Sequence, residues 1–323
     1  MSKNIKLWLI IAAILMLLGS IVFVGAMSMI KWDFKKLGTS SFETNTHELN
    51  EDFHNIRSKS NTADILFVPS ENGECKVVCY EETDAKHSVY VQDGPLTICV
   101  DNQKKWFQYI GIHTGTPKIT LYLPKTEYGT LNIENSTGAV VIPKNFQFEV
   151  MDISVTTGTV KNYASVTGSV NISSTTGAVT VESISAGALE ISVTTGNVKA
   201  SGISCQGDVS VNVSTGRTEL SDITCKRIIS EGNTGDIILR NVLAEEGFTI
   251  ERSTGDVEFT NSDAAEIFVK TDTGDVSGSL MTEKVFIIET DTGDIDVPKS
   301  INGGKCEIIT DTGDIEITIN QKT

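Results

Sequence analysis

The sequence predicts an all-β protein built on a parallel β-solenoid (β-helix) of about ten coils, with an irregular N-terminal β cap and one preceding transmembrane helix. Two observations predict the solenoid. A Thr-Gly pair recurs every 19 or 20 residues, and apolar residues recur at fixed offsets from each glycine. A third observation, an uncharged apolar run near the start, predicts the helix. Coils of this length must stack on their neighbours, because one coil cannot bury its own apolar face.

The Thr-Gly pair recurs in strict register through the second half of the chain. Its copies are Thr137-Gly138, Thr157-Gly158, Thr176-Gly177, Thr195-Gly196, Thr215-Gly216, Thr234-Gly235, Thr254-Gly255, Thr273-Gly274, Thr292-Gly293 and Thr312-Gly313. The apolar alternation breaks phase across each pair, which predicts that the glycine forms a corner. The threonines of neighbouring coils are expected to stack, with each hydroxyl bonding the next.

Two apolar columns flank each corner and are expected to face the core. Five residues before the glycine stand Ile133, Ile153, Ile172, Ile191, Val211, Ser230, Ile250, Val269, Ile288 and Ile308. Two residues after it stand Val140, Val160, Val179, Val198, Thr218, Ile237, Val257, Val276, Ile295 and Ile315. β-Branched residues alternating with polar ones are typical of half-buried strands. A third column, Ile184, Ile203, Ile223 and Val242, predicts a third side in several coils.

The composition divides the chain into five segments. We expect a short cytoplasmic tail at 1–6, a transmembrane helix at 7–30, a linker at 31–50, an irregular β start and cap at 51–128, and regular repeats at 129–323. Within the irregular part, Thr62-Ala63 is interpreted as a degenerate corner of the same solenoid. The coil at Ile315 to Ile319 is expected to leave an open edge at the end of the stack.

The apolar run from Leu7 to Ile30 contains no charged residue and exceeds the roughly 20 residues that span a bilayer. It predicts a single-pass anchor in the cell membrane, with the bulk of the chain extracellular. A cleaved signal peptide ending near Val24-Gly25-Ala26 is the alternative. The net charge of −16 is concentrated after residue 230, where 20 acidic residues face seven basic ones. This acidic surface argues against a nucleic-acid partner.

Two columns of aspartates in the later coils are candidate calcium ligands. The residues are Asp236, Asp256, Asp275, Asp294 and Asp314 directly after the glycines, and Asp272, Asp291 and Asp311 two residues before them. Stacked carboxylates repel unless a cation compensates, and calcium prefers carboxylate and carbonyl oxygens. Alternatively, the aspartates are solvated turn residues screened by counterions. No other cofactor is expected.

Cysteine and histidine give little indication of catalysis. Cys205 and Cys225 share an offset and are expected to stack, but alanine occupies the same offset in other coils, which favours two buried thiols over a disulfide. The histidines His47, His54, His87 and His113 form no spaced pair, and the chain contains no hydrolase or metalloprotease motif. The aromatic cluster around Trp106 is interpreted as a core cap or, alternatively, a binding platform.

The T-G-x-[VI] corners, preceded by irregular strands and a membrane helix, resemble the "putative adhesin" β-strand-repeat family of bacterial envelope proteins, of Gram-positive type, over roughly residues 50–320. The family is a domain of unknown function with no activity or site residues to transfer. The resemblance implies a non-catalytic surface-binding or structural protein whose partner is a cell-wall polymer or an envelope protein. An envelope-stress or regulatory component acting through a membrane partner is the alternative, followed by a polysaccharide-active β-helix enzyme.

Overall fold

The computed structural model describes residues 3–29, 31–33, 41–102 and 115–320, and it confirms the all-β solenoid with one N-terminal helix. The helix α1 spans Lys3–Met29. All 26 strands belong to one continuous sheet that winds around an apolar core. We number the coils 1 to 10 in chain order after their Thr-Gly pairs.

The strands fall into an irregular N-terminal set and the strands of the regular coils. The first set is β1 (Phe42–Leu49), β2 (Ile56–Thr62), β3 (Asp64–Pro69), β4 (Cys75–Glu82), β5 (Ala85–Val91), β6 (Leu96–Asn102) and β7 (Lys118–Leu123). The coils comprise β8 (Glu127–Thr137), β9 (Val140–Ile142), β10 (Gln147–Thr157), β11 (Val160–Asn162), β12 (Ser165–Val166), β13 (Ser169–Thr176), β14 (Val179–Glu182), β15 (Ser185–Ala186), β16 (Ala188–Thr195), β17 (Val198–Cys205), β18 (Val209–Thr215), β19 (Thr218–Thr234), β20 (Ile237–Thr254), β21 (Val257–Thr273), β22 (Val276–Leu280), β23 (Lys284–Thr292), β24 (Ile295–Asp296), β25 (Gly304–Thr312) and β26 (Ile315–Ile319).

The Thr-Gly pair forms a corner, as the sequence predicts, and the backbone holds it together. Gly177 has φ +147°, and a side chain there would overlap the carbonyl oxygen of Gly158 in the coil below. Its N–H donates to the carbonyl of Thr195 in the coil above at 2.9 Å. The threonines stack in register, but their side chains are exposed, and the predicted bonds between their hydroxyls are absent from the described coils.

The predicted apolar columns form the core. Ile153, Ile191 and Val198 are at most 1% exposed, and the third column is buried as well. The corner that leads into this third side was not predicted. It lies six residues after the Thr-Gly glycine, where residues of positive φ stack as Ser183, Gly202, Asp222, Asn241 and Asn261. Short polar residues and glycine tolerate this left-handed conformation.

The N-terminal strands continue the stack and then cover its end. Thr62 pairs with Thr137, so the Thr62-Ala63 corner lies directly below coil 1, as expected. β3 pairs in parallel with β7 and β9, whereas β4 pairs antiparallel with β7 and β1. β5 and β6 form an antiparallel pair, and β6 joins the stack through β2. This antiparallel part, β1 and β4 to β7, is the cap of the solenoid.

At the other end the last two coils are stacked in reverse order. β25 of coil 10 pairs with β21 on one side and with β23 of coil 9 on the other, and β26 likewise lies between β22 and β24. The expectation that Ile315 to Ile319 forms the open edge is therefore wrong for Ile315 and Glu316, which pair with β24, whereas no described strand pairs with residues 317–319 on that side. Coil 10 therefore lies between coil 9 and the preceding coil, and coil 9 forms the end of the stack.

Two contacts explain why coil 10 fits into the gap. Gly304 of β25 lies so close to Ala265 that any side chain would overlap the Ala265 carbonyl oxygen. Directly above, Lys284 pairs in register with Gly304 and reaches β21, where its Nζ lies 2.6 Å from Asp263 Oδ1 and 2.8 Å from the Ala264 carbonyl. Both charged side chains are buried, so the ion pair ties coil 9 across coil 10 to the preceding coil.

Candidate functional site

The aspartates that follow the glycines form a hydrogen-bonded ladder along one edge of the stack. Asp256 Oδ1 accepts the N–H of Asp275 at 2.9 Å, Asp275 Oδ1 accepts that of Asp314 at 2.8 Å, and Asp314 Oδ1 accepts that of Asp294 at 2.8 Å. Asp236 precedes them, with Oδ1 3.4 Å from the Asp256 nitrogen. The ladder follows the reversed order of the last two coils, and each carboxylate except that of Asp294, at the end, accepts a backbone N–H of the next level.

The second predicted column, Asp272, Asp291 and Asp311, is exposed on the outer face. In the described residues, no three of the eight aspartates bring carboxylate oxygens within 4.8 Å of one another. Every ladder carboxylate except that of Asp294 already accepts a backbone N–H through Oδ1, and Asp236 Oδ2 accepts from Arg217. A cation would therefore bind from outside through the remaining carboxylate oxygens. Calcium binding at these columns stays a prediction.

The structure holds all six cysteines as thiols. Cys205 and Cys225 lie in the buried column that Ala186 and Ala244 continue on either side. Burial raises the pKa of both thiols, that of Cys225 to about 12. These thiols therefore stay protonated and fill a column that requires small apolar residues.

A cluster of ionisable side chains, not predicted from the sequence, lies inside the N-terminal cap. His87 Nδ1 is 2.7 Å from Glu81 Oε2, and the His87 backbone N–H donates to the same oxygen at 2.6 Å. His87 Nε2 is 3.1 Å from Ser60 Oγ, and Asn45 Nδ2 donates to Glu81 Oε1 at 2.7 Å. Cys79 lies beside the pair, with ligand atoms of Cys79, Glu81 and His87 all within 4.8 Å of one another.

The cluster is enclosed. Glu81 is 1% exposed, Cys79 0% and His87 5%. Burial raises the pKa of the Cys79 thiol to about 12, with a further contribution from the Glu81 charge. In the part of the chain that the structure describes, this is the one group of three or more such residues close enough to hold a metal ion.

Sequence reasoning missed the cluster because its members come from different strands. Cys79 and Glu81 stand at alternate positions of β4 and therefore share its inner face. His87 follows the β4–β5 turn, and the two strands pair at Glu82 and Ala85 before they diverge. A Cys-x-Glu on a strand, followed by a tight turn and a histidine, was the signal available. His113 and the Trp106 cluster lie outside the described residues.

The second candidate site is the open end of the solenoid, comprising β23, β24 and the loop 297–303. β23 pairs with β25 on one side, and no described strand covers its other side. Ile295 is 50% exposed, whereas the same position of coil 10, Ile315, is 0% exposed. Val285 and Ile287 are exposed on the outer face, at 37% and 50%. The open end thus presents core positions, an apolar outer face and an unpaired strand edge together.

Comparisons with known proteins agree with this architecture. A structure from Parabacteroides distasonis ATCC 8503, described as a putative lipid binding protein, is 17% identical with a TM-score of 0.51 and covers 76% of this chain and 98% of its own. A putative adhesin from Bacteroides fragilis NCTC 9343 is 14% identical with a TM-score of 0.44, covering 86% and 97%. At these identities the first likeness shows a shared fold alone. A search of curated protein sequences finds no significant match.

The family model described as Toastrack DUF4097 matches residues 53–210 and 204–323 in two overlapping segments. Together the segments cover every strand from β2 onward, that is, the cap without β1 and all ten coils, in which the corners and the stacked columns are observed. The chain therefore belongs to the Toastrack DUF4097 family.

Proposed function

We propose that this protein is a non-catalytic binding element of the cell envelope, anchored in the membrane by α1 and engaging a partner at the open end of its solenoid. The observation that carries the proposal is the terminal strand β23. Its residues 285–288 read Val-Phe-Ile-Ile, a continuous run of four apolar residues, whereas the equivalent residues 305–308 of β25 read Lys-Cys-Glu-Ile. In a parallel sheet, apolar residues on both faces of a strand are typical of a strand that is buried on both faces.

In the proposed arrangement the open end lies at the opposite end of the solenoid from the membrane helix. Asn4–Met29 is long and apolar enough to cross a bilayer. The chain leaves this helix through residues 30–41 and enters the cap, and the coils then stack away from the cap for ten levels above the Thr62-Ala63 corner. At about 4.8 Å per level the open end lies roughly 50 Å from the first level. An extracellular solenoid of this form projects its unpaired strand away from the membrane.

Charge favours one class of occupant. Residues 283–303, which contain the open end, carry five acidic residues and two basic ones: Glu283, Glu289, Asp291, Asp294 and Asp296 against Lys284 and Lys299. Lys284 is buried in its ion pair with Asp263. A second copy or an anionic wall polymer would bring like charges together. The complementary occupant is a protein strand rich in lysine or arginine and β-branched residues, which extends the sheet by backbone pairing.

Binding of model peptides to the full chain in detergent micelles tests this proposal. We expect an alternating lysine–valine octapeptide to bind in a fluorescence anisotropy titration and to weaken as salt is raised, whereas a glutamate–valine octapeptide does not bind. Ile287→Lys places a like charge on the docking strand and is expected to abolish binding. Val150→Lys, at a position 36% exposed on the side of the stack, is the matched control. Equal binding of both peptides, or unchanged binding by I287K, contradicts the proposal.

The membrane arrangement is tested separately by protease digestion of intact cells and of inverted vesicles. An extracellular solenoid is degraded, or loses an engineered C-terminal tag, on intact cells but is protected in inverted vesicles. The opposite pattern contradicts the proposed orientation. Release of the chain from washed membranes without detergent would instead support the cleaved signal peptide.

Two observations support a non-catalytic role. The compared structures carry no enzyme names. Ser60, His87 and Glu81 are hydrogen-bonded in the order of a hydrolytic relay, but they are 3%, 5% and 1% exposed, so a substrate cannot reach Ser60 in the described structure.

A further inference from the structure

We propose that Cys79, Glu81 and His87 form a Zn²⁺ site inside the cap. The residue types fit this ion, because zinc takes thiolate, imidazole and carboxylate ligands, whereas calcium and magnesium require oxygen ligands. The site is independent of the aspartate columns and of the open end.

The geometry needs a small contraction. The three ligand atoms lie within 4.8 Å of one another, and ligands of a tetrahedral zinc ion lie about 3.5 Å apart. His87 Nδ1 and Glu81 Oε2 now share a hydrogen bond of 2.7 Å. A zinc ion takes the place of the proton in that bond, and the two atoms separate by about 1 Å as Cys79 Sγ approaches.

The hydrogen bonds around the three residues already have the form that metal ligands require. When Nδ1 binds a metal, Nε2 must carry the proton, and Ser60 Oγ lies 3.1 Å away to accept it. Asn45 Nδ2 donates to Glu81 Oε1 at 2.7 Å and fixes the plane of the carboxylate. Such partners orient the ring and the carboxylate before the ion arrives.

Two buried polar atoms without a hydrogen-bond partner lie on the strands that carry Ser60 and Asn45. Ser58 is 0% exposed, and its Oγ has no hydrogen-bond partner in the structure. It lies two residues before Ser60 on the same inner face of β2. His47 Nε2, two residues after Asn45 on β1, is likewise buried and without a partner. Buried polar groups are normally bonded, so these atoms mark the surroundings of the cluster as polar. His47 is not among the residues whose ligand atoms lie within 4.8 Å of one another, so water is the fourth zinc ligand in this proposal.

The charges balance in the bound state. Zinc binding displaces the Cys79 proton to solvent and leaves a thiolate, a carboxylate and a neutral imidazole around a divalent cation, with no net charge in the buried site. Because Cys79 is otherwise protonated, zinc affinity rises with pH. The ion would join β4, which pairs with β1 and β7, to β5, which pairs with β6.

Spectroscopy of the full chain in detergent micelles, stripped by chelator, tests the site with Co²⁺ alone and Zn²⁺ alone. We expect one equivalent of Co²⁺ to produce the near-ultraviolet thiolate-to-cobalt band and tetrahedral visible bands, and one equivalent of Zn²⁺ to remove them. The melting temperature should rise when Zn²⁺ is added. Cys79→Ser should lose the thiolate band, whereas Cys306→Ser, an equally buried thiol near the other end, should keep it.

A second variant separates a metal site from a simple packing role. Ser60→Ala keeps all three ligands and removes the acceptor of His87 Nε2, so we expect Zn²⁺ affinity to fall about 10- to 100-fold with the cobalt spectrum retained. Two results would overturn the proposal. One is absence of the thiolate band and of stoichiometric zinc in the wild-type chain. The other is a thiolate band that persists in C79S.

Discussion

The guanidinium of Arg252 lies in the space left by Gly232 and donates from Nη1 to the Val213 carbonyl at 2.8 Å. Its Nη2 lies 3.1 Å from Thr218 Oγ1 and 3.5 Å from Ser230 Oγ. Thr218 and Ser230 are the two polar residues in the otherwise apolar columns, and one buried arginine accounts for both. Burial lowers the pKa of Arg252 to about 10.

Replacing Arg252 alone should therefore destabilise the solenoid. Arg252→Leu removes the donors to the Val213 and Glu231 carbonyls and leaves the Thr218 and Ser230 hydroxyls without this hydrogen-bond partner. We expect a loss of about 2–4 kcal/mol in unfolding free energy by urea titration. Combining it with Thr218→Val and Ser230→Ile restores the apolar columns and should recover most of the loss. A triple variant no more stable than R252L would contradict this account.

The two kinds of corner should respond differently when their glycine is replaced. At Gly196, φ is +149° and a Cβ would overlap the Gly177 carbonyl oxygen, so Gly196→Ala should prevent close stacking and cost several kcal/mol. At Gly202, φ is +63° and the nearest atom to a Cβ is 3.4 Å away. Gly202→Asn should cost less than about 1 kcal/mol, since asparagine occupies this corner at Asn241. The midpoints of urea unfolding measure the stability of the two variants. Equal losses of stability in both would contradict the distinction between the two corners.

Cysteine cross-linking checks the reversed order of the last coils. Lys270 pairs with Ile309 in the neighbouring coil 10, whereas Glu289 pairs with Ile309 from the far side. A disulfide requires Cα atoms about 4.4–6.8 Å apart, and two levels exceed that distance. The pair Lys270→Cys with Ile309→Cys should therefore close on oxidation, while Lys270→Cys with Glu289→Cys should not. Non-reducing electrophoresis with mass mapping detects the disulfides. A disulfide between positions 270 and 289 but not between 270 and 309 would show that the coils stack in chain order.

If calcium binds at the aspartate columns, the difference in melting temperature between the wild type and an Asp→Asn variant should change sign when calcium is added. In chelator, Asp275→Asn with Asp294→Asn keeps the Oδ1 acceptors of the ladder and removes like charges, so the variant should melt at or above the wild-type temperature. In millimolar calcium the wild type should gain stability and the variant should not. Scanning calorimetry with and without calcium distinguishes the two. If calcium leaves the melting temperature of the wild type unchanged, the aspartates only accept backbone hydrogen bonds and bind no calcium.

The buried thiols predict a loss of stability in alkali. Burial raises the pKa of Cys225 and of Cys306 to about 12, whereas a cysteine thiol in the unfolded chain has a pKa of about 8.5. The folded state therefore retains more protons between these values, so this contribution is complete below pH of about 8.5 and declines as the pH rises toward 12. Cys225→Ala, which matches Ala244 in the same column, should flatten the decline in melting temperature between pH 8 and 11. An unchanged slope would contradict the assignment.

The sequence by itself determined the solenoid, its glycine corner and its core columns. These features depend on local periodicity: a side chain at a fixed offset meets its equivalent in the next coil, so repetition along the chain becomes repetition in space. The same periodicity placed the two aspartate columns and the buried cysteine column. The apolar run likewise identified the helix from length and hydropathy alone.

The tertiary structure decided everything that breaks this periodicity. Gly304 and the buried Lys284–Asp263 pair favour the observed order of coils 9 and 10, because both orders satisfy the local repeat and differ in such long-range contacts. Gly232 and Arg252 act across coils in the same way. The Cys79–Glu81–His87 cluster arises where β4 and β5 diverge after their turn, and no sequence period relates its members. A repeating pattern specifies contacts between equivalent positions, whereas contacts between non-equivalent positions require the folded chain.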